Sequence, residues 1–233
     1  MKPIEEVLPR EERERLRREA LAQTPRWYVP WMHVAMPGLF GLGVASIALS
    51  RVHDLRPWQL GFFVFVLLLS NATEWRAHRD LLHKRFRPLA ALYDRHTPEH
   101  HMIFVQDDMA LRSSREFRLV LIPAWGIVAL LPVTAPPAAL LWAFGQTNLA
   151  ALYLAATMIY VVSYEWMHLA WHLPEDSFIG SLRVVSALRE HHAIHHDPRL
   201  MQKWNFNVTV PLWDLVRRTR YPTRSASSTR AAS

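Results

Sequence analysis

Residues 160–172 read YVVSYEWMHLAWH, an apolar segment that leads directly into two histidines four residues apart. Side chains four residues apart lie on one face of a helix, so His168 and His172 can bind the same ion. Histidine imidazoles bind iron, zinc and copper. An apolar helix that ends in such a pair predicts a helical membrane protein with a metal site beside the bilayer.

Ten of the 13 histidines fall into four short groups of this kind, which we call boxes. One metal ion needs only about four to six ligands, so ten candidate ligands predict two metal ions. The boxes are His78 and His83; His96, His100 and His101; His168 and His172; and His192, His195 and His196.

The spacing within the first two boxes raises a question of geometry. His78 and His83 are five residues apart, which places them about 140° apart on a regular α-helix. They therefore need either a helix end between them or two different metals. His96 and His100 are predicted to point together, with His101 to the side. Adjacent histidines that diverge suit a pair of neighbouring metals.

Three apolar blocks accompany the boxes: Tyr28–Ser50, Pro57–Thr73 and Phe117–Met167. The second block runs directly into residues 71–78, so its helix is expected to continue into the first box, and the composition of residues 186–196 favours a helix for the last box. One membrane span needs roughly 20 residues, so the third block predicts a hairpin of two spans. Its turn is expected near Thr134–Pro137 or near Gly145–Asn148. We predict an all-α fold: a four-helix transmembrane bundle with a cytoplasmic helical cap that holds a dinuclear metal site.

The basic residues predict the orientation of these spans. Of the 27 Lys and Arg residues, 25 lie before the first block, between the second and third, or after the third, counting Arg118. Basic residues gather on the cytoplasmic side, so both termini and all boxes are expected there, in a bacterial inner membrane or the endoplasmic reticulum. The net charge of +7 then reflects topology and anionic headgroups, and nucleic-acid binding is not expected. The absence of cysteine excludes disulfides and thiolate-bound metals.

The expected organisation has three parts: a charged N-terminal helix in residues 1–27, a membrane-embedded domain in residues 28–216, and a basic disordered tail in residues 217–233. The N-terminus is too charged for a cleaved signal peptide. Within it, residues 4–22 pair acids with bases at helical spacing, which predicts a helix exposed to solvent or to the membrane surface.

The histidines outside the boxes are expected to have other roles. His33 lies within the first span and His53 in a short loop on the far side, so both are interpreted as structural. His191 is four residues from His195, and we interpret it as a support for a ligand or as a solvated residue.

Five carboxylates flank the boxes and are candidates to orient imidazoles by accepting the second ring N–H. Glu74 and Glu165 are the better candidates because they lie near the hydrocarbon boundary, where an unpaired carboxylate is costly. The others are Asp80, Glu99 and Asp197, and a solvated surface is an equal alternative for Asp80 and Glu99. Trp75, Trp166 and Trp171 are interpreted either as the lining of an apolar tunnel or as interfacial anchors.

The boxes, HRDLLH, HTPEHH, HLAWH and HAIHH, resemble those of the fatty acid hydroxylase and sterol desaturase superfamily, H-x4-H, H-x2-HH, H-x3-H and H-x2-HH, in the same order. The segments Arg118–Pro123 and Asn205–Asp214 are also similar, particularly to fatty acid 2-hydroxylases. The resemblance covers roughly Glu74–Asp214. Two positions depart from it. Three residues separate His96 from His100, which shifts the local helix phase, and Asn207 stands where a glycine is usual, at the expected acyl entrance.

The resemblance implies a membrane-bound diiron monooxygenase that uses O2 to hydroxylate an unactivated C–H of a fatty acyl or related lipid, with zinc as an alternative occupant of the purified protein. It implies a separate electron donor, a ferredoxin or a b-type cytochrome with its reductase. It further implies two ligand sets: His78, His83, His100, His192 and His195 on one metal; His96, His101, His168, His172 and His196 on the other.

Other functions are compatible with the same residues. A lipid or sterol desaturase or a carotenoid hydroxylase would use the same centre. A non-enzymatic metal-binding or transport protein is a further alternative, although transporters hold their ligands near the bilayer midplane. A hydrolase that uses zinc-activated water would need neither O2 nor a reductant.

Overall fold

The computed structural model describes residues 6–123 and 126–222, and this part of the chain is built from helices without a β-strand. The helices are α1 (Arg10–Ala22), α2 (Pro30–Leu49), α3 (Pro57–Ala77), α4 (Ala90–Arg95), α5 (His101–Ile103), α6 (Phe117–Val120), α7 (Gly126–Ala129), α8 (Leu131–Ala143), α9 (Thr147–Trp171), α10 (Arg183–His195) and α11 (Leu212–Arg217). Two π-helical turns, His78–Leu82 and His96–His100, and two 3₁₀ turns, Arg87–Leu89 and Ser114–Glu116, complete the described secondary structure.

Helix α2 packs against α9, which lies at the centre of the apolar part and also contacts α3 and α8. With 20 and 25 residues, α2 and α9 are the two described helices that are long and apolar enough to cross a membrane. Ala45 and Ala48 of α2 pack against Ala151 and Ala155 of α9. Such small side chains let two helix backbones approach closely, which is a common form of packing between helices in lipid.

Helix α3 packs beside α9 and continues past the apolar block. Its 21 residues end at Ala77, and the first π turn follows without a break. The predicted continuation of this helix into the first box is therefore confirmed. At the opposite end, Asn148 Nδ2 donates to the His53 carbonyl at 2.6 Å, which joins the loop after α2 to the start of α9.

Of the hairpin expected in the third apolar block, α9 forms the second span. The first half of the block, as far as the structure describes it, does not form a continuous span. It is divided into α6, α7 and α8, and α8 has only 13 residues, or about 20 Å, against a hydrocarbon thickness of roughly 30 Å. Proline removes a backbone donor and interrupts regular helix geometry, and this block contains Pro123, Pro132, Pro136 and Pro137. The turn near Gly145, where φ is 72°, matches the second of the two predicted positions.

Two buried polar side chains satisfy the backbone where this block is broken. His33 Nε2 lies 2.7 Å from the Ile122 carbonyl, and the Ile122 N–H donates to Glu165 Oε2 at 3.2 Å. Non-helical backbone inside an apolar region needs such partners because no water is available there. The structural interpretation of His33 is thus confirmed.

Helix α1 forms as expected and most of its residues are exposed, but one face, with Arg13, Arg17 and Ala20, is buried against residues 103–121. Arg17 and Glu116 form an ion pair of 2.5 Å in which each side chain is only 3% exposed. Arg13 pairs with Asp108 at 3.1 Å. The acidic partners lie about a hundred positions away in the sequence, and spacing within residues 4–22 carries no information about them.

The end of the described chain also packs on the cap. The Asn205 N–H donates to the Thr219 carbonyl at 2.7 Å, and Tyr221 contacts Trp204 edge to face. Of the predicted tail, residues 223–233 lie outside the described residues.

Candidate metal centre

The two π turns explain how histidines five residues apart in the first two boxes can reach the same site. In the first turn the His83 N–H donates to the His78 carbonyl at 3.2 Å, and in the second the His101 N–H donates to the His96 carbonyl. A π turn closes from residue i to i+5, so residues five apart lie on the same face. Each turn therefore brings two histidines five residues apart to one site.

All ten box histidines are buried, and they form two clusters. Within each cluster the candidate ligand nitrogens lie within 4.8 Å of one another. The first cluster contains His78, His83, His96, His101 and His195, and the second contains His100, His168, His172, His192 and His196.

This grouping corrects the division that the resemblance implied. His96 and His101 belong to the first cluster, whereas His100 and His192 belong to the second. The expectation that His96 and His100 point together is wrong because the second π turn pairs His96 with His101 instead. The expected divergence of His100 and His101 toward two sites agrees with the structure.

The ring nitrogens of the first cluster are arranged as a cation requires. His195 Nδ1 donates to the Trp204 carbonyl at 2.8 Å, and His78 Nδ1 donates to the Phe206 carbonyl. Both Nε2 atoms therefore carry lone pairs, and these atoms are 3.1 Å apart. Facing lone pairs repel unless a cation lies between them. Two nitrogens bound to one ion at about 2.1 Å are separated by about 3 Å, so the residues fit a metal.

The second cluster shows the same polarity. The Nδ1 atoms of His100, His172 and His196 donate to backbone carbonyls at 2.9, 2.9 and 2.7 Å, so their Nε2 atoms carry lone pairs. Within the described residues, Nε2 of His100, His168 and His172 is buried without a hydrogen-bond partner. Buried polar atoms rarely lack partners unless a ligand satisfies them.

Burial keeps these imidazoles neutral at physiological pH. Desolvation lowers the pKa of His78 to about 4 and that of His196 to about 3, against the weaker opposing effect of their hydrogen bonds to carbonyls. Desolvation also lowers the pKa of His83 and His101 well below the ordinary value. A neutral imidazole is the form that binds a metal.

Backbone carbonyls orient the rings, and the carboxylates that the sequence suggested do not. Among the described contacts none of the five candidates touches a box histidine. Glu74 accepts the Thr209 N–H and hydroxyl, Glu165 accepts the Ile122 N–H, and Asp80 and Asp197 pair with arginines. The carbonyls that take this role belong to Phe104, Met109, Leu119, Trp204 and Phe206.

The loop 204–210 forms one wall of the first cluster and is held by polar residues that sequence reasoning missed. Asp214 accepts the N–H groups of Phe206 and Asn207 at 3.0 and 2.8 Å. Asn71 accepts the Trp213 N–H and donates to the Val210 carbonyl. A polar Asn71 at the end of an apolar block was the available signal, because such residues need a specific partner.

His191 and Asn207 also belong to this support. His191 is largely buried, and its Nε2 lies 3.2 Å from Asp214 Oδ2, so the interpretation as a support is the correct one. Asn207 is fully buried; it donates to the Asn71 carbonyl and accepts the Asp214 N–H. The residue that departs from the glycine of the resembling families thus binds α3 to the loop.

The three tryptophans near the boxes anchor backbone and side chains. Trp171 donates to the Val208 carbonyl at 2.8 Å and Trp75 to the Thr219 hydroxyl at 2.9 Å. Trp166 donates to the Val34 carbonyl and is 42% exposed. Their role as the lining of a tunnel stays a prediction.

Comparison with known proteins agrees with this site. A model of the fatty acid hydroxylase family matches residues 63–219, which is more than half of the 233 residues and includes every box. Comparisons with curated proteins and with solved structures gave no match. The chain therefore belongs to the fatty acid hydroxylase family, within the fatty acid hydroxylase/sterol desaturase superfamily, whose members are membrane-associated, metal-dependent oxidoreductases.

Proposed function

We propose that this protein is a dinuclear-iron monooxygenase that hydroxylates an unactivated C–H of a lipid. In the overall reaction, O2, two electrons and two protons convert the C–H to C–OH and release one water. The observation that carries the proposal is the pair of five-histidine clusters, which lie so close that the rings of His101 and His196 stack at 4.1 Å.

Each cluster would hold one ion through its five imidazoles. All-imidazole sites bind both iron and zinc, but activation of O2 requires a redox-active metal, so iron is the proposed occupant. The iron pair would supply the chemistry of O2 activation. The protein supplies the neutral imidazoles, fixes their orientation and excludes water, since every box histidine is at most 8% exposed.

We further propose that α2, α3, α8 and α9 lie in the bilayer with the clusters at its cytoplasmic face. Outward-facing apolar side chains on these helices support this arrangement: Leu39 is 73% exposed, Phe65 56% and Trp142 68%. Apolar surface of this extent is unfavourable in water and favourable in lipid. A short, proline-containing α8 is compatible with this position because α9 packs along it.

A lipid substrate follows from the same arrangement. A site at the boundary between the hydrocarbon and the cytoplasm receives molecules that diffuse within the bilayer, and the family name specifies fatty acid hydroxylation. The two electrons would come from a separate carrier protein.

Metal analysis of purified protein tests the centre. We expect about two iron ions per chain in the wild type and a clear loss in His83→Ala and His172→Ala, which remove one ligand from each cluster. The matched control is His53→Ala, an exposed histidine outside both clusters. Unchanged metal content in both cluster variants would contradict the dinuclear site.

Product analysis tests the reaction. Cells that express the wild type should yield a lipid that has gained one oxygen atom from labelled O2, and the two cluster variants should not. A product that has lost two hydrogens instead would show a desaturase. Turnover under nitrogen would show a hydrolase.

A further inference from the structure

A basic surface lies over the first cluster. Arg76, Arg79 and Lys84 surround Asp80, while Arg79 and Arg217 both lie against the ring of Trp75, at 4.5 and 5.3 Å from its centroid. The surface, which we call the basic face, consists of Arg76, Arg79, Lys84, Lys203, Arg217, Arg218 and Arg220. Asp80 is the acidic residue that pairs with members of this set, so the seven basic side chains leave the face with a net positive charge.

The basic face is continuous and accessible. Trp75 donates to the Thr219 hydroxyl, so the neighbours of Thr219, Arg218 and Arg220, lie on the same side as Arg217. The Thr219 carbonyl accepts the Asn205 N–H, which brings the loop that contains Lys203 to this side as well. A shallow groove of about 330 Å³ lies between α3 and α11 and is lined in part by Trp75, Arg76 and Arg217. A partner can therefore approach these side chains directly.

Two tryptophans connect this face to the first cluster. Trp204 is partly exposed, Lys203 lies over its ring at 4.9 Å, and its carbonyl accepts the hydrogen bond from His195 at 2.8 Å. Trp75 contacts Phe206 edge to face at 5.8 Å, and the Phe206 ring lies 5.7 Å from that of His195. Only one or two contacts thus separate the surface from a candidate ligand.

The second cluster is shielded on its own side. Phe104, whose carbonyl accepts the hydrogen bond from His196, is fully buried, and the Arg17 guanidinium covers its ring at 4.8 Å. The buried Arg17–Glu116 pair holds α1 over this position. The described structure therefore offers a short route to the metals through the basic face.

We propose that the basic face is the docking surface for an acidic one-electron carrier protein, which delivers electrons to the first cluster past Trp204 and Trp75; this inference rests on the proposed function. Each encounter would oxidise the reduced carrier by one electron and pass that electron to the metals that the two histidine clusters would hold. Two encounters supply the two electrons that the hydroxylation consumes. Electron tunnelling falls steeply with distance, so docking where one or two contacts separate the surface from a candidate ligand favours transfer.

Charge and connectivity favour a carrier protein over an anionic lipid. Lys84 is 63% exposed and follows the first π turn, beyond the end of α3, while Lys203 and Arg220 lie on the loops of the cap. Binding of a lipid headgroup requires only the positive charges and does not require the aromatic contacts that lead from this face to the metal ligands. Opposite charges on two proteins guide their association and make its rate sensitive to salt.

The test uses iron-loaded protein in phosphatidylcholine nanodiscs with a plant-type [2Fe–2S] ferredoxin as the acidic probe. Binding affinity is measured at several salt concentrations, and oxidation of the reduced ferredoxin is followed by anaerobic stopped flow. The test variant combines Lys203→Glu with Arg217→Glu. The matched control combines Arg115→Glu with Arg183→Glu, two exposed residues outside the basic face.

We expect the test variant to weaken ferredoxin binding and slow electron transfer by about tenfold or more at low salt, while the control changes either by less than about twofold. Metal content confirms that both variants are folded. Equal effects in the two variants, or none in either, would overturn the proposal. A second set of nanodiscs that contains phosphatidylglycerol tests the lipid alternative: a test variant that binds ferredoxin normally but no longer retains phosphatidylglycerol would also overturn the proposal and would identify a lipid site. Lipid product is measured in parallel. If the wild type forms product while both variants bind ferredoxin normally, only the docking surface is refuted. If the wild type binds ferredoxin but oxidises no lipid, only the hydroxylase is refuted.

Discussion

Asp214 controls the wall of the first cluster although it contacts none of its histidines. Its two carboxylate oxygens accept the N–H groups of Phe206 and Asn207, and Oδ1 also accepts the Thr219 hydroxyl at 2.7 Å. The Phe206 carbonyl in turn accepts the hydrogen bond from His78. Partners that hold a metal ligand in place typically change metal affinity by 10–100-fold when they are replaced.

We expect Asp214→Asn to weaken the first cluster selectively. An amide group can replace only one of the two acceptor oxygens, so one buried N–H loses its partner, at a cost of about 1–3 kcal/mol in the free energy of unfolding. Stepwise iron titration should show about tenfold or greater loss of affinity at one of two sites. Asp176→Asn, at an exposed position, is the control. Equal weakening of both sites would contradict a selective role.

At the scale of elements, α2 and α9 approach each other closely in the apolar part. A Cβ added at Gly41 would lie 2.5 Å from Val162 Cγ2 and 3.0 Å from Ile127 Cδ1, and both neighbours are buried. Gly43, half a turn further along the same helix, has nothing within 4 Å of the corresponding position. The two glycines therefore form a matched pair for testing this interface.

Gly41→Val should destabilise the protein by about 1–3 kcal/mol, because the added side chain separates the helices or forces strained rotamers. Gly43→Val should change stability by much less, since its side chain would point into open space. Thermal unfolding in detergent measures both. Similar melting temperatures for the two variants would show that α2 and α9 do not pack as described.

Sequence reasoning succeeded for elements with a single strong signal and failed where distant residues decide. The bounds of α2, the extension of α3 and the helix that carries the last box follow from local hydrophobicity and spacing. The two π turns were not predicted, because the spacing of the histidines was projected onto a regular α-helix. The buried face of α1 is held by Glu116 and Asp108, and the backbone break at Ile122 is stabilised by Glu165. These partners are distant in the sequence, so local spacing does not predict them.

At the scale of the whole molecule, the polar cap and the far loops lie at opposite ends of the apolar helices. The loop after α2 and the start of α9 meet through His53 and Asn148. The boxes, α1 and the C-terminal segment gather at the other end. This separation is the one that the proposed membrane arrangement requires.

The absence of native cysteine makes this arrangement directly measurable by single-cysteine labelling. We expect cysteines at Asp107 and Asp176 to react with an impermeant maleimide only from the cytoplasmic side. Those at Leu55 and Gln146 should react only from the opposite side. All four positions are exposed. Labelling of all four from one side would show that the helices do not cross the bilayer.

Because backbone carbonyls orient the imidazoles, the orientation of these rings does not depend on the identity of the neighbouring side chains. A carbonyl is present whatever side chain its residue carries, so volume-conserving changes at Met109 or Leu119 leave the acceptor for His172 or His100 in place. The side chains at these two positions can therefore vary without disturbing the orientation of the rings.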